Sequence, residues 1–178
     1  MSDNLAWREL SRSTLYHSPY GRHVDDVIYQ LPNGQEDHFH LKVEGTYAIV
    51  LALTAEQQVV MVRQFRPGKN SVLTELPGGG IKATQTPEQA AAAELLEETG
   101  YAGELEFVTE EWPDGYSDRR AFIFVARNCV KVAEQTLDPT EFLEVTLLSV
   151  DELRTHLRTG KLTDVGAGYL ALDYLGLL

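Results

Sequence analysis

A single cysteine, Cys129, stands among 178 residues, which excludes an intrachain disulfide and any thiol-rich metal site. Set in the alternating stretch "AFIFVARNCV", it is expected as a buried, inert thiol and not as a nucleophile. Positive charge is also scarce. Fifteen Lys and Arg against 27 Asp and Glu leave a formal net charge of −12, which argues against binding to a nucleic-acid backbone and requires cations to mediate contact with any anionic substrate. No apolar run approaches the roughly 20 residues that cross a bilayer. The opening "MSDNLAWREL" lacks the pattern of a secretory leader, so the expectation is a cytoplasmic protein with no membrane partner. Repeats, low-complexity tracts and linkers are missing too. What remains, at 43% hydrophobic residues, suits one globular domain with a full core and a short extra element at one end.

The first half reads as strands and turns. "VDDVIYQL", a Pro-Asn-Gly turn at 32 to 34 and "DHFHLKV" predict a hairpin. "TYAIVLAL" and "VVMVRQF" flank the polar "TAEQQ" as a second strand pair. Further strands are expected at "GELEFVTE", "AFIFVAR" and "EVTLLSV", with "EWPDGYSDR" as a loop. Two helices close the chain. Ser149 and Glu152 form a capping box for the first, which stops at Gly160, and the second runs through "AGYLALDYL". Strands interleaved with three helices imply an α/β (α+β) fold in which one mixed sheet is sandwiched between helices.

The remaining helix carries the chemistry. Thr86 is a good N-cap, Pro87 fits the first helical position, Gln89 completes a capping box and Gly100 suits a left-handed stop. At roughly 100° per residue, Glu94, Glu97 and Glu98 share one face, and Ala92, Leu95, Leu96 and Thr99 fall on the opposite one. Like charges at these spacings repel by roughly 0.2–0.5 kcal/mol per pair. Glu97 and Glu98 also lie in the last turn, where the helix dipole favours cations by about 0.3–1 kcal/mol. From these residues alone the face is either solvated or bound to a divalent cation, for which carboxylates are the fitting donors.

Residues 79 to 101 resemble the Nudix box, G-x5-E-x7-R-E-U-x-E-E-x-G-U with U a bulky apolar residue. Gly79, Glu94, Leu95, Glu97, Glu98, Gly100 and Tyr101 match it. Gln85 stands where the box has Glu, and Ala93 where it has Arg. An Arg at 93 would lie one turn before Glu97 and steady it; here nothing in the box does so. The resemblance covers most of the chain, since "VVMVRQFRP" followed by "TELPGGG" is similar to the ADP-ribose pyrophosphatases and their nucleotide-sugar relatives. It implies a Nudix fold over 45–178, preceded by an N-terminal β-hairpin extension over 1–44 that builds a homodimer.

The resemblance also implies the site. Mg²⁺, with Mn²⁺ as a substitute, would be held by Glu94, Glu97, Glu98 and the Gly78 carbonyl. Glu141, in "LDPTEFLEVTLLSV", would be the general base, with Asp138 and Glu144 as weaker alternatives and Glu97 as a second catalytic acid. Arg63 or Arg66 would meet the diphosphate, for which a guanidinium fork is suited. In "WPDGYSDRR", Arg119 or Arg120 would meet a phosphate or sugar, and Trp112 or Tyr116 would stack on a base. The same loop departs from the relatives' "SPGFSDE" pattern, with Asp114 for its Pro and Arg119 for its Glu. His38 and His40 share a strand face without an apparent third ligand, and are read as solvent- or dimer-facing. The expected reaction is hydrolysis of a nucleoside diphosphate-linked small molecule, ADP-ribose first and other nucleotide sugars next. The rivals are a nucleotide-binding module with little turnover and a hydrolase of nucleoside triphosphates.

Overall fold

The structure, a computed structural model, describes residues 4–18 and 21–178. Met1–Asp3, Pro19 and Tyr20, all within the expected N-terminal extension, lie outside the described residues. The chain divides into two compact units, one of residues 1–45 with 112–119 and one of residues 46–111 with 120–178.

In the first unit, β1 (Arg8–His17), β2 (His23–Gln30) and β3 (Glu36–Val43) form a three-stranded antiparallel sheet in that order. The expected hairpin is β2–β3, closed at Gly34 with φ +84°. β1 was not anticipated; every residue of it is exposed, so no alternation of apolar and polar residues announces it. Trp7, Tyr29 and Phe39 cluster on the sheet, with ring centroids 4.8–5.9 Å apart. Residues 112–119 attach to the last residues of β3. The Lys42 N–H donates to the Tyr116 carbonyl, the Asp118 N–H to the Lys42 carbonyl, and the Lys42 ammonium pairs with Asp114. His38 and His40 are exposed beside Asp26, with His38 Nδ1 2.9 Å from its carboxylate.

The second unit is built on a seven-stranded sheet. β4 (Thr46–Thr54), β5 (Gln58–Arg66), β8 (Tyr101–Glu111), β9 (Arg120–Lys131) and β10 (Leu143–Ser149) run in the order β10-β5-β4-β9-β8, with β6 (Ser71–Glu75) on β5 and β7 (Gly78–Gly80) on β4. The β4–β9 pair is parallel and the others are antiparallel, so the sheet is mixed. β4 is buried on both faces, which is why "TYAIVLAL" reads as one apolar run. One face, through Ile49, Leu51, Met61, Ile123 and Val125, packs on α2 (Val150–Arg158) and α3 (Val165–Tyr174). The other, through Ala48, Val50, Val60 and Phe124, packs on α1 (Pro87–Thr99). The sandwich of helices around a mixed sheet is as expected, while β6 and β7 are additions: "PGGG" resembles a loop in sequence.

Both expected capping boxes form, at Thr86/Gln89 and at Ser149/Glu152. Losing either cap would cost about 1 kcal/mol. Cys129 is buried, and burial pushes its thiol up to about 11, which keeps it protonated and inert. Among the described residues no helix is long and apolar enough to cross a membrane.

Candidate functional site

β4 changes partner along its length, and the change creates the site. Near its end it pairs with β5 at Ala52 and Leu53; nearer its start it pairs with β7 at Tyr47 to Ile49. Between them the Val50 N–H donates to the Pro77 carbonyl at 3.0 Å. This close approach requires Gly78, because a Cβ there would stand 2.3 Å from the Ala48 carbonyl oxygen. The Gly78 N–H donates to Glu98 Oε2 at 2.9 Å and not to β4. The N–H and C=O of one strand residue leave on the same edge, so the Gly78 carbonyl also faces away from β4.

The helix does not separate acid from core as expected. Its buried residues are Ala90, Ala91, Leu95, Glu98 and Thr99, whereas Ala92 and Leu96 are exposed. Glu98 lies three residues from Leu95 and seven from Ala91, within the apolar stripe. It is 6% exposed. Burial, with Glu94 and Glu141 nearby, pushes its carboxyl up to about 8 against the opposing Gly78 N–H and Arg66. Glu94 lies over Gly79, where an added Cβ would be 2.5 Å from its carboxyl carbon. Burial first, then the charges of Glu97, Glu141 and Asp138, push Glu94 up to about 7, with Lys82 opposing. Glu97 is exposed. Three glutamates of one helix and Glu141 of a distant loop therefore act on one another electrostatically.

Arg66 and Arg63 go to opposite faces of β5. Arg66 Nε donates to Glu75 Oε2 at 2.6 Å, and Glu75 is 2% exposed with its Oε1 lacking a partner among the described residues. Arg66 is the arginine whose charge reaches Glu98. Arg63 bonds Glu144 at 2.8 Å and shares with Glu141 a groove also lined by Phe65, Val72 and Phe142. Glu144 is thus engaged by Arg63. Trp112, Tyr116 and Arg119 belong to the other unit. Trp112 and Tyr116 are exposed there, and the Arg119 N–H donates to Ser117 Oγ at 3.1 Å.

The two departures from the box have local settings. Gln85 Oε1 accepts the Lys82 N–H at 3.2 Å, closing the turn before α1, a bond that an amide makes without charge. Ala93 is half-buried and leaves Glu97 without the cation that an arginine would bring. Glu75, Lys82 and the Gly78 N–H escaped the sequence reading: a buried Glu in "TELPGGG" looks like any strand residue until its cross-strand neighbours are known.

Among the described residues no three His, Cys, Asp or Glu side chains stand as a ready-made metal cage. The donors are carboxylate and carbonyl oxygens around a close backbone approach. A hard divalent cation, which takes oxygen ligands, would fit that donor set.

A NUDIX domain model matches residues 44–165. The ADP-ribose pyrophosphatase of Bacillus subtilis (strain 168) is 32% identical over 158 residues, covering 87% of this chain and 84% of the relative. A methanol dehydrogenase activator of Bacillus methanolicus is 31% identical over 160 residues, covering 86% and 83%. The crystal structure of an ADP compounds hydrolase superposes with a TM-score of 0.79 over 97% of both chains, at 18% identity, a likeness of fold. With the family match spanning the glycines, the acidic helix and the Glu141 loop, this chain belongs to the NUDIX family.

Proposed function

We propose that this Nudix hydrolase cleaves the diphosphate of ADP-ribose or a related nucleotide sugar, giving a nucleoside monophosphate and a sugar phosphate. The observation that carries the reading is the seam between β7 and α1. There a buried Glu98, bonded to the Gly78 N–H, lies in electrostatic reach of Glu94 and Glu141. Acids so placed call for an external cation. The similarity to an ADP-ribose pyrophosphatase over most of both chains supports the substrate class.

Glu94, Glu97, Glu98 and the Gly78 carbonyl would hold Mg²⁺, or Mn²⁺ in its place. When bound, the cation supplies neutralisation of the diphosphate and acidification of water for in-line attack at phosphorus. Glu141 takes the proton of the attacking water. Arg66, fixed by Glu75, offers its remaining N–H groups to the diphosphate, with Arg63 as the further candidate. Trp112 or Tyr116 stacks on the base, and Arg119 meets a phosphate or the sugar. Residues 1–44 form a homodimer-building extension and 45–178 the catalytic domain of a cytoplasmic enzyme.

The test is product analysis with ADP-ribose, GDP-mannose, other nucleotide sugars and nucleoside triphosphates, with and without Mg²⁺. Mg²⁺-dependent release of a nucleoside monophosphate from a nucleotide sugar is expected. Release of pyrophosphate from triphosphates would overturn the substrate class. Tight binding without turnover would favour a nucleotide-binding module, the reading to which Gln85 and Ala93 lend support.

A further inference from the structure

The last turn of α1 contains no basic residue, and the last carbonyls of any helix need donors from outside it. Here they come from the segment that leads to Glu141. The Gly100 carbonyl accepts the N–H groups of Val132 and Ala133 at 2.8 and 3.2 Å. The Glu97 carbonyl accepts the Thr136 N–H at 2.9 Å. The Glu98 carbonyl accepts Nε2 of Gln135 at 2.6 Å. The same amide nitrogen lies 3.5 Å from the carbonyl of Leu143, the first residue of β10. One half-buried side chain therefore stands where the Glu141 loop leaves the helix and where it rejoins the sheet. Between these points the loop holds itself together by the Glu141 N–H to the Asp138 carbonyl at 2.9 Å and the Asp138 N–H to Glu141 Oε2 at 3.2 Å.

We propose that Gln135 is a positioning residue for the hydrolysis: its amide fastens both ends of the Glu141 loop to the turn that carries Glu97 and Glu98, and so sets where Glu141 stands relative to those acids. The proposal rests on the reading that Glu141 takes the proton. Gln135 touches neither substrate nor cation and acts only through the loop. The helix that presents the acids is then also the reference from which the base is placed, and a shift of one carries the other with it.

A double-mutant cycle of Gln135→Met and Glu141→Gln decides the matter, with thermal melts to establish that each variant is folded. Gln135→Met should lower kcat by about 10- to 100-fold, the scale of a misplacement near 1 Å, and leave KM within about twofold. Gln135→Lys, which keeps an N–H donor and adds the charge that a helix C-terminus favours, should restore most of that loss. In a Glu141→Gln background Gln135→Met should cost nothing further, because the group it positions is gone. Should Gln135→Met fail to fold, Gln135→Asn, which keeps the amide but falls short of the Glu98 carbonyl, takes its place with the same expectations. A slow Glu141→Gln with an unimpaired Gln135→Met, or two additive losses, would overturn the positioning role alone. A Glu141→Gln as fast as the unaltered protein would overturn the role of Glu141 and this proposal with it.

Discussion

Asp25 on β2 and Glu98 on α1 are both buried carboxylates, 3% and 6% exposed, and they are treated in opposite ways. Asp25 receives the Thr14 hydroxyl at 2.8 Å and the Arg12 guanidinium at 3.0 Å, with His23 at 3.5 Å. The Thr14 bond foremost, then Arg12 and His23, hold its carboxyl below the ordinary range although burial works the other way. Glu98 receives one backbone N–H, and burial among other acids holds it far above that range. An acid that serves the fold is neutralised by its own chain. The sparing provision for Glu98 is the mark of an acid kept for something the chain does not contain.

The contrast breaks first at Glu98 itself. Glu98→Gln keeps size and the Gly78 bond while removing the charge, so turnover should fall at least about 100-fold with the fold intact by circular dichroism. An unchanged rate would sink the assignment of this helix as the catalytic one.

Acidity provides a finer cut. In metal-free protein, Glu98 at about 8 and Glu94 at about 7, against 4.5 for the ordinary carboxyl, bind protons more tightly folded than unfolded. Stability from this source is therefore greatest at low pH and declines as pH rises from 4.5 through about 8. Asp25 has the reverse sign: its contribution is present above its unfolded value of 3.8 and is lost as pH falls through its lower native value. Melting temperatures from pH 3 to 9 in a chelator should show a decline toward high pH that Mg²⁺ abolishes and Glu98→Gln reduces, leaving the share that belongs to Glu94. A slope indifferent to both would detach the Glu98 shift from metal binding.

The smallest effect is expected at Thr14. Thr14→Val removes the leading donor to Asp25 and should lower the melting temperature by about 2–4 °C, with turnover per folded molecule unchanged. Loss of turnover in that variant would erase the distinction between the two acids.

Much of the site was legible because its devices are local. Thr86, Pro87, Gln89 and Gly100 mark both ends of α1 within one stretch of chain, and the glutamate spacing places the acids near one another on its surface. Three things were not legible. The burial of Glu98 depends on the β4–β7 approach, which joins Gly78 to Ala48, thirty residues earlier. The separation of Arg63 from Arg66 follows from strand alternation, but which face meets α1 is a tertiary fact. The bonds from Gln135 and Thr136 to the end of α1 link segments whose sequences carry no cue for each other. β1 escaped because a strand exposed along its whole length shows no period of two.

The first unit takes its parts from two places in the chain, 1–45 and 112–119, and this fixes an order of assembly during synthesis. β3 leaves the ribosome early, but the backbone groups of Lys42 that bond Tyr116 and Asp118 must wait for the chain to reach Arg119. At roughly 5–20 residues per second, the 74 residues from Gly45 to Arg119 (119 − 45) take about 4–15 s. Throughout that interval the end of β3 is an open strand edge on a nascent chain, the period in which pairing with a neighbouring copy on the same message is most exposed.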